Sequence, residues 1–329
     1  MRRRALACAL VVVGCGGGRA RQESGGERAP LVFTGACDAS GVVALRGSLV
    51  VVADDEDNHL RVYDAAAAGA PIQIIDTGTA MADPDGKDRE MDLEAAARIG
   101  DRIYWLASHG RKKSGKAAPS RLRLFATDVA RGDRLSFVGS VYASLVDDLA
   151  ALPGLDLAAA AARSPSAEGG LNIEGLDATA GGQLLLGFRS PLIGGRALVI
   201  PVENPAAMVE RGERALLGAP RMLDLGGRGV RGMEWDGHAH WIIAGAPAAR
   251  RMPSRLYRWD GTGEARWIEE IRFGSLNPEA LARVNGQLLI LSDDGERLMG
   301  GTPCKKLRDS ATRRFRATWL GPLPALVSP

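Results

Sequence analysis

Polar side chains, four of them charged, recur at one point of a pattern that the chain repeats five times. These positions, called the ring residues below, are Ser40, Glu94, Glu174, Arg231 and Glu279. Carboxylates that converge from several segments are the oxygen ligands that Ca²⁺ and Mg²⁺ prefer, whereas an arginine among them opposes a cation. The pattern therefore allows two kinds of chemistry, a cation site or a network of ion pairs.

In every unit an apolar run ends at a constant distance after the ring residue, and several of these ends carry polar side chains. Fourteen residues after each ring residue an apolar run ends, at Asp54, Ser108, Phe188, Gly245 and Asp293. A constant offset indicates a hairpin of fixed length in every unit, so the charged residues at its end return to the level of the ring. We expect Asp54, His109, Arg189 and Asp293 to surround the ring residues.

The same units predict the fold. Each contains two apolar runs joined by a tight turn, then a third run that opens with His or Arg, then a fourth. Short antiparallel strands in a radial repeat are typical of a β-propeller, and four strands make one blade. We predict an all-β chain with a single propeller of five blades, with six as the alternative.

Two details of this prediction concern the last blade. Its third strand is predicted at Arg297-Leu298-Met299 and its fourth at 315–320. The run Leu31-Val32-Phe33 resembles a fourth strand placed before the first unit, where it could close the ring, with 315–320 then displaced or added beside it. Segment 143–163 has leucines at helical spacing and predicts one short helical insertion, either a helix on a blade edge or a lid.

The first strand of a blade lines the central channel, so the ring residues should surround one mouth of that channel. We predict a ligand site made of Glu94, Glu174, Arg231, Glu279, Asp54, His109, Arg189 and Asp293. Two interpretations stay open. The glutamates could pair with third-strand arginines, namely Arg121, Arg196 and Arg297, or Asp54, Glu174, Glu279 and Asp293 could hold a metal, with Ca²⁺ as the candidate cofactor.

The N-terminal residues have the pattern of a targeting signal. Arg2-Arg3-Arg4 precedes an apolar segment that ends in Val12-Val13-Gly14-Cys15. This resembles a bacterial lipobox and implies a lipidated Cys15, with 1–15 as signal peptide, 16–29 as flexible tether and 30–329 as the propeller. The alternative is a signal peptide cut elsewhere. Gly16 in place of Asp favours the outer membrane, and the domain is expected in the periplasm or at the cell surface.

Composition limits the partners. The net charge is +3 over 329 residues, which argues against nucleic acid as a partner. Two cysteines, Cys37 and Cys304, belong to the propeller segment, and in an oxidising envelope they could form a disulfide or stay separate thiols. The only predicted attachments are therefore the membrane, through the N-terminal lipid, and an unknown ligand or envelope protein.

Two blocks of sequence carry a family resemblance. Val52-Ala53-Asp54-Asp55-Glu56-Asp57-Asn58 with Leu60-Arg61-Val62-Tyr63, and Asn172-Ile173-Glu174-Gly175-Leu176 with Gly187-Phe188-Arg189-Ser190-Pro191-Leu192, resemble an uncharacterised bacterial domain of unknown function, number thirty-six-sixteen. The resemblance implies no activity. The start at Glu174 is also distantly similar to esterase-like phytases, a group whose membership would imply Ca²⁺-dependent hydrolysis of phosphate esters.

Nucleophile-elbow, Walker, zincin and dinucleotide motifs are all absent from the sequence. The leading hypothesis is a lipid-anchored envelope propeller that binds a ligand or partner at the charged mouth. The alternative is a metal-dependent phosphoesterase, so the sequence leaves open whether the protein is an enzyme.

Overall fold

Five four-stranded antiparallel sheets follow one another in the computed structural model, which describes residues 29–78, 89–248 and 251–321. The first strand, β1 (Leu31–Thr34), belongs to the last sheet. Blades 1 and 2 comprise β2 (Ala39–Ala44), β3 (Leu49–Asp54), β4 (His59–Asp64), β5 (Gln73–Asp76), β6 (Leu93–Ile99), β7 (Arg102–Ala107), β8 (Leu124–Ala130) and β9 (Arg134–Tyr142). The β-propeller with five blades, predicted from the repeat, is confirmed.

The remaining blades have the same plan. Blades 3 and 4 comprise β10 (Asn172–Ala178), β11 (Leu184–Ile193), β12 (Arg196–Val202), β13 (Arg221–Leu223), β14 (Gly229–Trp235), β15 (His240–Gly245), β16 (Arg255–Trp259) and β17 (Arg266–Trp267). Blade 5 comprises β18 (Pro278–Val284), β19 (Gln287–Ser292), β22 (Arg314–Leu320) and β1. Between β19 and β22 lies a separate hairpin of β20 (Leu298–Met299) and β21 (Thr302–Pro303).

The N-terminal strand closes the propeller. β1 pairs antiparallel with β22, with Phe33 opposite Phe315, and the two rings stack with centroids 5.0 Å apart. Tyr63 of blade 1 meets both rings edge-on, so the closing strand is buried against the first blade as well as the last. The possibility that 31–33 closes the ring is thus realised.

The predicted third strand of blade 5, at 297–299, was wrong. The third strand is β22, and Leu298 instead lies in the two-stranded hairpin with 63% of its surface exposed. In β22 Phe315 and Ala317 are buried, which supplies the apolar face that a third strand needs. Gly300 and Gly301, both with positive φ, turn the chain directly after Met299 and end that strand after two residues.

The chain is also tied covalently near its closure. A disulfide joins Cys37, which precedes blade 1, to Cys304 in blade 5. The Cys37 carbonyl accepts a hydrogen bond from the Asp294 N–H at 2.9 Å, so the same region is held by backbone contacts as well. The two cysteines are separated by 267 residues, and the bridge therefore spans most of the propeller.

Segment 143–163 forms two short helices, α1 (Leu145–Ala150) and α2 (Leu157–Ala161). Leu145, Leu149 and Leu157 are buried in a core shared with β10 to β12 of blade 3. A third helix, α3 (Pro205–Arg211), joins the same core through Met208 and Val209. The helices pack between blades 2 and 3, so the segment is a helical insertion on a blade edge and not a lid. Within the described residues no helix is long and apolar enough to cross a membrane.

Candidate functional site at the charged mouth

A β-bulge in the first strand of every blade sets the direction of the ring residues. The pairing register shifts between Ala39 and Gly41, Leu93 and Ala95, Ile173 and Gly175, Val230 and Gly232, and Pro278 and Ala280. The residue skipped each time is the ring residue. A bulge re-aims the extra side chain relative to the regular alternation, so five bulges present five polar side chains at one mouth of the channel.

Small residues directly after the bulges allow the first strands to approach one another. A Cβ added at Gly232 would lie 2.5 Å from the Glu279 carbonyl oxygen, and one at Gly175 would lie 2.6 Å from Val230 Cγ1. In the other blades this position is Gly41, Ala95 or Ala280. The narrow axis of a five-bladed ring thus requires glycine or alanine beside each ring residue and brings the ring side chains together.

Three ring glutamates converge at this mouth. The carboxylates of Glu94, Glu174 and Glu279 each place an oxygen within 4.8 Å of the others, and all three side chains are buried. Arg231 contacts Glu279 through Nη2, and its Nε lies 3.4 Å from Glu174 Oε2. Ser40 completes the ring differently, by donating to the Leu93 carbonyl. The predicted convergence of the ring residues is what the structure has.

The basic residues that pair with the ring glutamates are not the predicted third-strand arginines. Glu174 accepts from Arg189 Nη1 at 2.6 Å and from Asn172 Nδ2 at 2.7 Å. Two of the arginines expected to pair with the ring instead bind other acids: Arg121 pairs with Glu90 and Asp92, and Arg196 with the exposed Glu264. Arg121 is already bound by Glu90 and by Asp92, two residues before Glu94, and the ring glutamates are reached by Arg189 and Arg231 instead.

Glu94 differs from the other two glutamates. No basic side chain among the described residues pairs with it, and its Oε2 is buried without a hydrogen-bond partner. Burial raises its pKa well above the ordinary value, and the neighbouring Glu174, Asp92 and Glu279 raise it further. Glu94 is therefore a buried carboxyl that needs either a proton or a cation.

The acidic group continues from Glu94 towards blade 1. Asp55, Asp92 and Glu94 form a second cluster with oxygens within 4.8 Å, and Asp38, Asp55 and Glu56 form a third. Burial raises the pKa of Asp55 well above its usual range, with Glu94 and Asp38 adding to the effect. Burial, followed by Asp293 and Asp54, raises the pKa of Asp38 to about 9. Asp38 Oδ2 and Asp55 Oδ1 are buried and unpartnered.

Asp54 was predicted as a ligand, but its carboxylate accepts hydrogen bonds from backbone N–H groups. Its carboxylate accepts from the N–H groups of Cys37 at 3.0 Å, Asp38 at 3.2 Å and Glu56 at 2.9 Å. It belongs to none of the three carboxylate clusters. Asp54 thus holds the two segments that carry Asp38 and Glu56, and Asp55 is the residue of this pair that joins the clusters.

Asp293 lies at the blade 5 side of the mouth. It accepts from the Gly295 N–H and from Asn277 Nδ2, both at 2.9 Å, and neighbours Asp38. Burial would raise its pKa, but Arg231, the Gly295 N–H and side-chain hydrogen bonds with Glu279 and Asp38 more than offset the effect, and the pKa is lowered. Asp293 therefore carries a negative charge, whereas Asp38 beside it is the protonated partner near neutral pH.

His109 is buried apart from the carboxylate clusters. Its Nδ1 lies 2.7 Å from the Ala107 carbonyl, so Nδ1 carries the proton and Nε2 is left as a buried acceptor without a partner. Burial lowers the pKa of His109 to about 4, which keeps the ring neutral. The structure places this predicted site residue at the mouth of blade 2, outside the acidic group.

Sequence reasoning missed the importance of Asp55 and of the cluster that Asp55 forms with Asp92 and Glu94. A signal existed in the adjacent pair Asp54-Asp55, of which only one member can face the channel. Because the choice depends on a bulge one strand away, the sequence could not decide it.

Residues 143–279 match the model of a family described as a protein of unknown function (DUF3616). The resemblance to this domain is confirmed for that segment. It covers the helical segment, blades 3 and 4 and the start of blade 5, and includes Glu174, Arg189, Arg231 and Glu279. No curated protein matches the chain.

Several solved structures are similar in shape. Glutaminyl cyclase from Myxococcus xanthus is 12% identical over 88% of this chain and 94% of its own, with a TM-score of 0.45. A Bacteroides thetaiotaomicron protein of unknown function is 12% identical over 80% and 59%, with a TM-score of 0.43. The PQQ-bound aldose sugar dehydrogenase from Streptomyces coelicolor is 12% identical over 89% and 99%, with a TM-score of 0.41.

Proposed function

We propose that this propeller binds a divalent cation at the charged mouth and uses the mouth to bind a ligand or a protein partner. The observation that carries the proposal is Glu94, a buried carboxyl between two acidic clusters, without a basic partner among the described residues. Like charges at this separation repel strongly in a buried setting unless a proton or a cation compensates.

The charge balance supports a cation. Arg189 and Arg231 compensate Glu174 and Glu279, and Arg121 compensates Asp92. Asp38, Asp55 and Glu94 are left over, and each has an oxygen that is buried and unpartnered. Asp55 and Glu94 belong to one cluster with Asp92, so a cation bound there would satisfy their oxygens, whereas Asp38 lies in the neighbouring cluster and is compensated by its proton.

The donor set indicates which cation. Every candidate ligand atom in the clusters is a carboxylate oxygen, and Ca²⁺ accepts six to eight oxygen ligands in flexible geometry. Mg²⁺ requires a more regular octahedron and keeps several waters, which suits a buried cluster of charged groups less well. Ca²⁺ is therefore the favoured cation, held by Asp55 and Glu94 with Asp92 in support.

Calorimetric titration and thermal melting of residues 30–329 with Ca²⁺ or Mg²⁺ test this proposal. A cation at one hundred times its Kd stabilises the folded state by about 2.7 kcal/mol, so millimolar Ca²⁺ should raise the melting temperature. Glu94→Gln and Asp55→Asn should lose that increment, whereas Glu168→Gln, which removes an exposed carboxylate, should keep it. Identical Ca²⁺ responses in all four proteins would overturn the cation site and leave the mouth as a network of ion pairs.

The same samples separate binding from catalysis. Assays on p-nitrophenyl phosphate and phytate should show no hydrolysis above the Glu94→Gln background. Hydrolysis that needs Ca²⁺ and disappears in both acidic variants would replace the binding function with a metal-dependent phosphoesterase.

We also propose that the protein is anchored by lipid on Cys15 in the bacterial envelope, with the outer membrane favoured. The support is the sequence of the first residues, and Cys15 and the tether lie outside the described residues. Cys15→Ser should abolish labelling by palmitate analogues and membrane partition. Equal partition of variant and wild type would contradict the anchor.

A further inference from the structure

A cleft beside the ring combines several arginines with no acidic lining. It lies between blades 3, 4 and 5, and its described lining includes Arg189, Arg231, Arg251, Ser254 and Asn277. No aspartate or glutamate among the described residues lines it. Two of the three carboxylate clusters lie towards blades 1 and 2, and the third, Glu94 with Glu174 and Glu279, separates them from this cleft, which lies towards blades 3 and 4.

The two inner arginines are held in place by their carboxylate partners. Arg189 is fixed by Glu174 through Nη1 and by the Ala246 carbonyl through Nε, at 2.6 and 2.9 Å. Arg231 has a side chain only 9% exposed, and its Nε is buried without a hydrogen-bond partner. Guanidinium groups that are anchored on one side present their remaining N–H groups with little loss of conformational freedom.

The outer wall of the cleft is held by the backbone. Arg228 donates through Nε to the Pro253 carbonyl at 2.9 Å, which fixes the segment next to Ser254. Arg251 is exposed at the rim and has no partner among the described residues. Two anchored guanidinium groups, one free guanidinium and one hydroxyl therefore face a common space.

We infer that this cleft binds an oxyanion group of the ligand, a carboxylate or a phosphate. Planar guanidinium groups recognise both through charge-assisted hydrogen bonds, and a cation on the acidic side would face the same ligand. The inference rests on the proposed binding at the mouth and names the chemistry of what is bound there. A ligand with one oxyanion in the cleft and a second polar end towards Glu94 fits the divided charge.

Titration calorimetry with inorganic phosphate and with succinate, at constant ionic strength and with or without Ca²⁺, tests the oxyanion site. At least one probe should bind the wild type saturably, and Arg251→Gln should weaken it by about tenfold, the usual effect of losing one hydrogen bond to a charged group. Arg134→Gln removes an exposed arginine on β9 and should leave the affinity unchanged. The probe that binds more tightly distinguishes a phosphate ligand from a carboxylate ligand.

The outcomes separate this inference from the cation proposal. Saturable anion binding by a wild-type protein that shows no binding of Ca²⁺ supports the oxyanion site and refutes the cation site. Anion binding that persists in Glu94→Gln, when only the wild type binds Ca²⁺, supports both sites. Ca²⁺ binding without saturable binding of either anion overturns the oxyanion site alone. Equal anion affinities in Arg251→Gln and Arg134→Gln also overturn it, because the effect would then be one of net charge.

Discussion

Arg231 of blade 4 lies with its Nε 3.4 Å from Oε2 of Glu174 in blade 3, and both side chains are buried. The same guanidinium contacts Glu279 of blade 5. Burial alone would lower the pKa of Arg231, but Glu279 and Glu174 raise it, so the arginine is charged. One side chain thus links three consecutive blades at the axis of the propeller.

Removing this link should destabilise the propeller strongly. Arg231→Gln leaves Glu279 without its basic partner in a buried site, and breaking a buried pair in this way costs about 3–5 kcal/mol. Arg231→Lys keeps the charge and should lose less. Chemical denaturation of the three proteins measures both effects. A loss for Arg231→Gln no larger than that for the exposed Arg134→Gln would show that the pair contributes nothing to stability.

Stability should fall as pH rises in the absence of Ca²⁺. Burial, together with the neighbouring Asp293 and Asp54, raises the pKa of Asp38 to about 9. From about pH 4 up to this value the folded state holds more protons than the unfolded chain. The free energy of unfolding therefore decreases with pH, by up to about 1.4 kcal/mol per unit for this group.

The stabilisation by Ca²⁺ should change with pH in the opposite direction. The cation binds carboxylates and must displace their protons, so the increment in melting temperature should be larger at about pH 8.5 than at about pH 5.5. Melting curves at both pH values, with Ca²⁺ and with chelator, measure it. An increment that is independent of pH would mean that the raised carboxyls do not bind the cation.

The disulfide should contribute to stability and to the site. Cys37 and Cys304 close a loop of 267 residues, and removal of a native disulfide typically costs about 2–5 kcal/mol. Because Cys37 precedes Asp38, Cys37→Ser with Cys304→Ser should also weaken Ca²⁺ binding. Denaturation and Ca²⁺ titration of the double variant, compared with the wild type under oxidising conditions, measure the two effects. An unchanged Ca²⁺ affinity would show that the disulfide does not support the cation site.

The close approach at the axis predicts a steric effect. In Gly232→Ala the new Cβ would lie 2.5 Å from the Glu279 carbonyl oxygen, so the first strand of blade 5 must move. Overpacking of this kind costs about 1–3 kcal/mol. Gly181→Ala, where the nearest atom is Thr179 Oγ1 at 3.7 Å, is the matched control and should be nearly neutral. Equal stability of the two variants would refute the constraint.

The five-fold repeat was sufficient to predict the propeller and to favour five blades over six, because hairpins of constant length leave a regular signal in the sequence. The closing role of 31–33 was one of the possibilities that the sequence left open. The last blade was less predictable. Arg297-Leu298-Met299 has the composition of a third strand, but the turn at Gly300 and Gly301 and the burial of Phe315 decide in favour of β22.

Sequence alone also determined that Glu94, Glu174, Arg231 and Glu279 share one level of the channel, since their spacing relative to the strands is constant. Tertiary structure decided which charges meet. Arg189 and Arg231, not the third-strand arginines, reach the glutamates, and Asp55, not Asp54, joins the acidic clusters. The reason is that bulges and the angle between blades set side-chain direction and distance, and neither is encoded in the spacing along one strand.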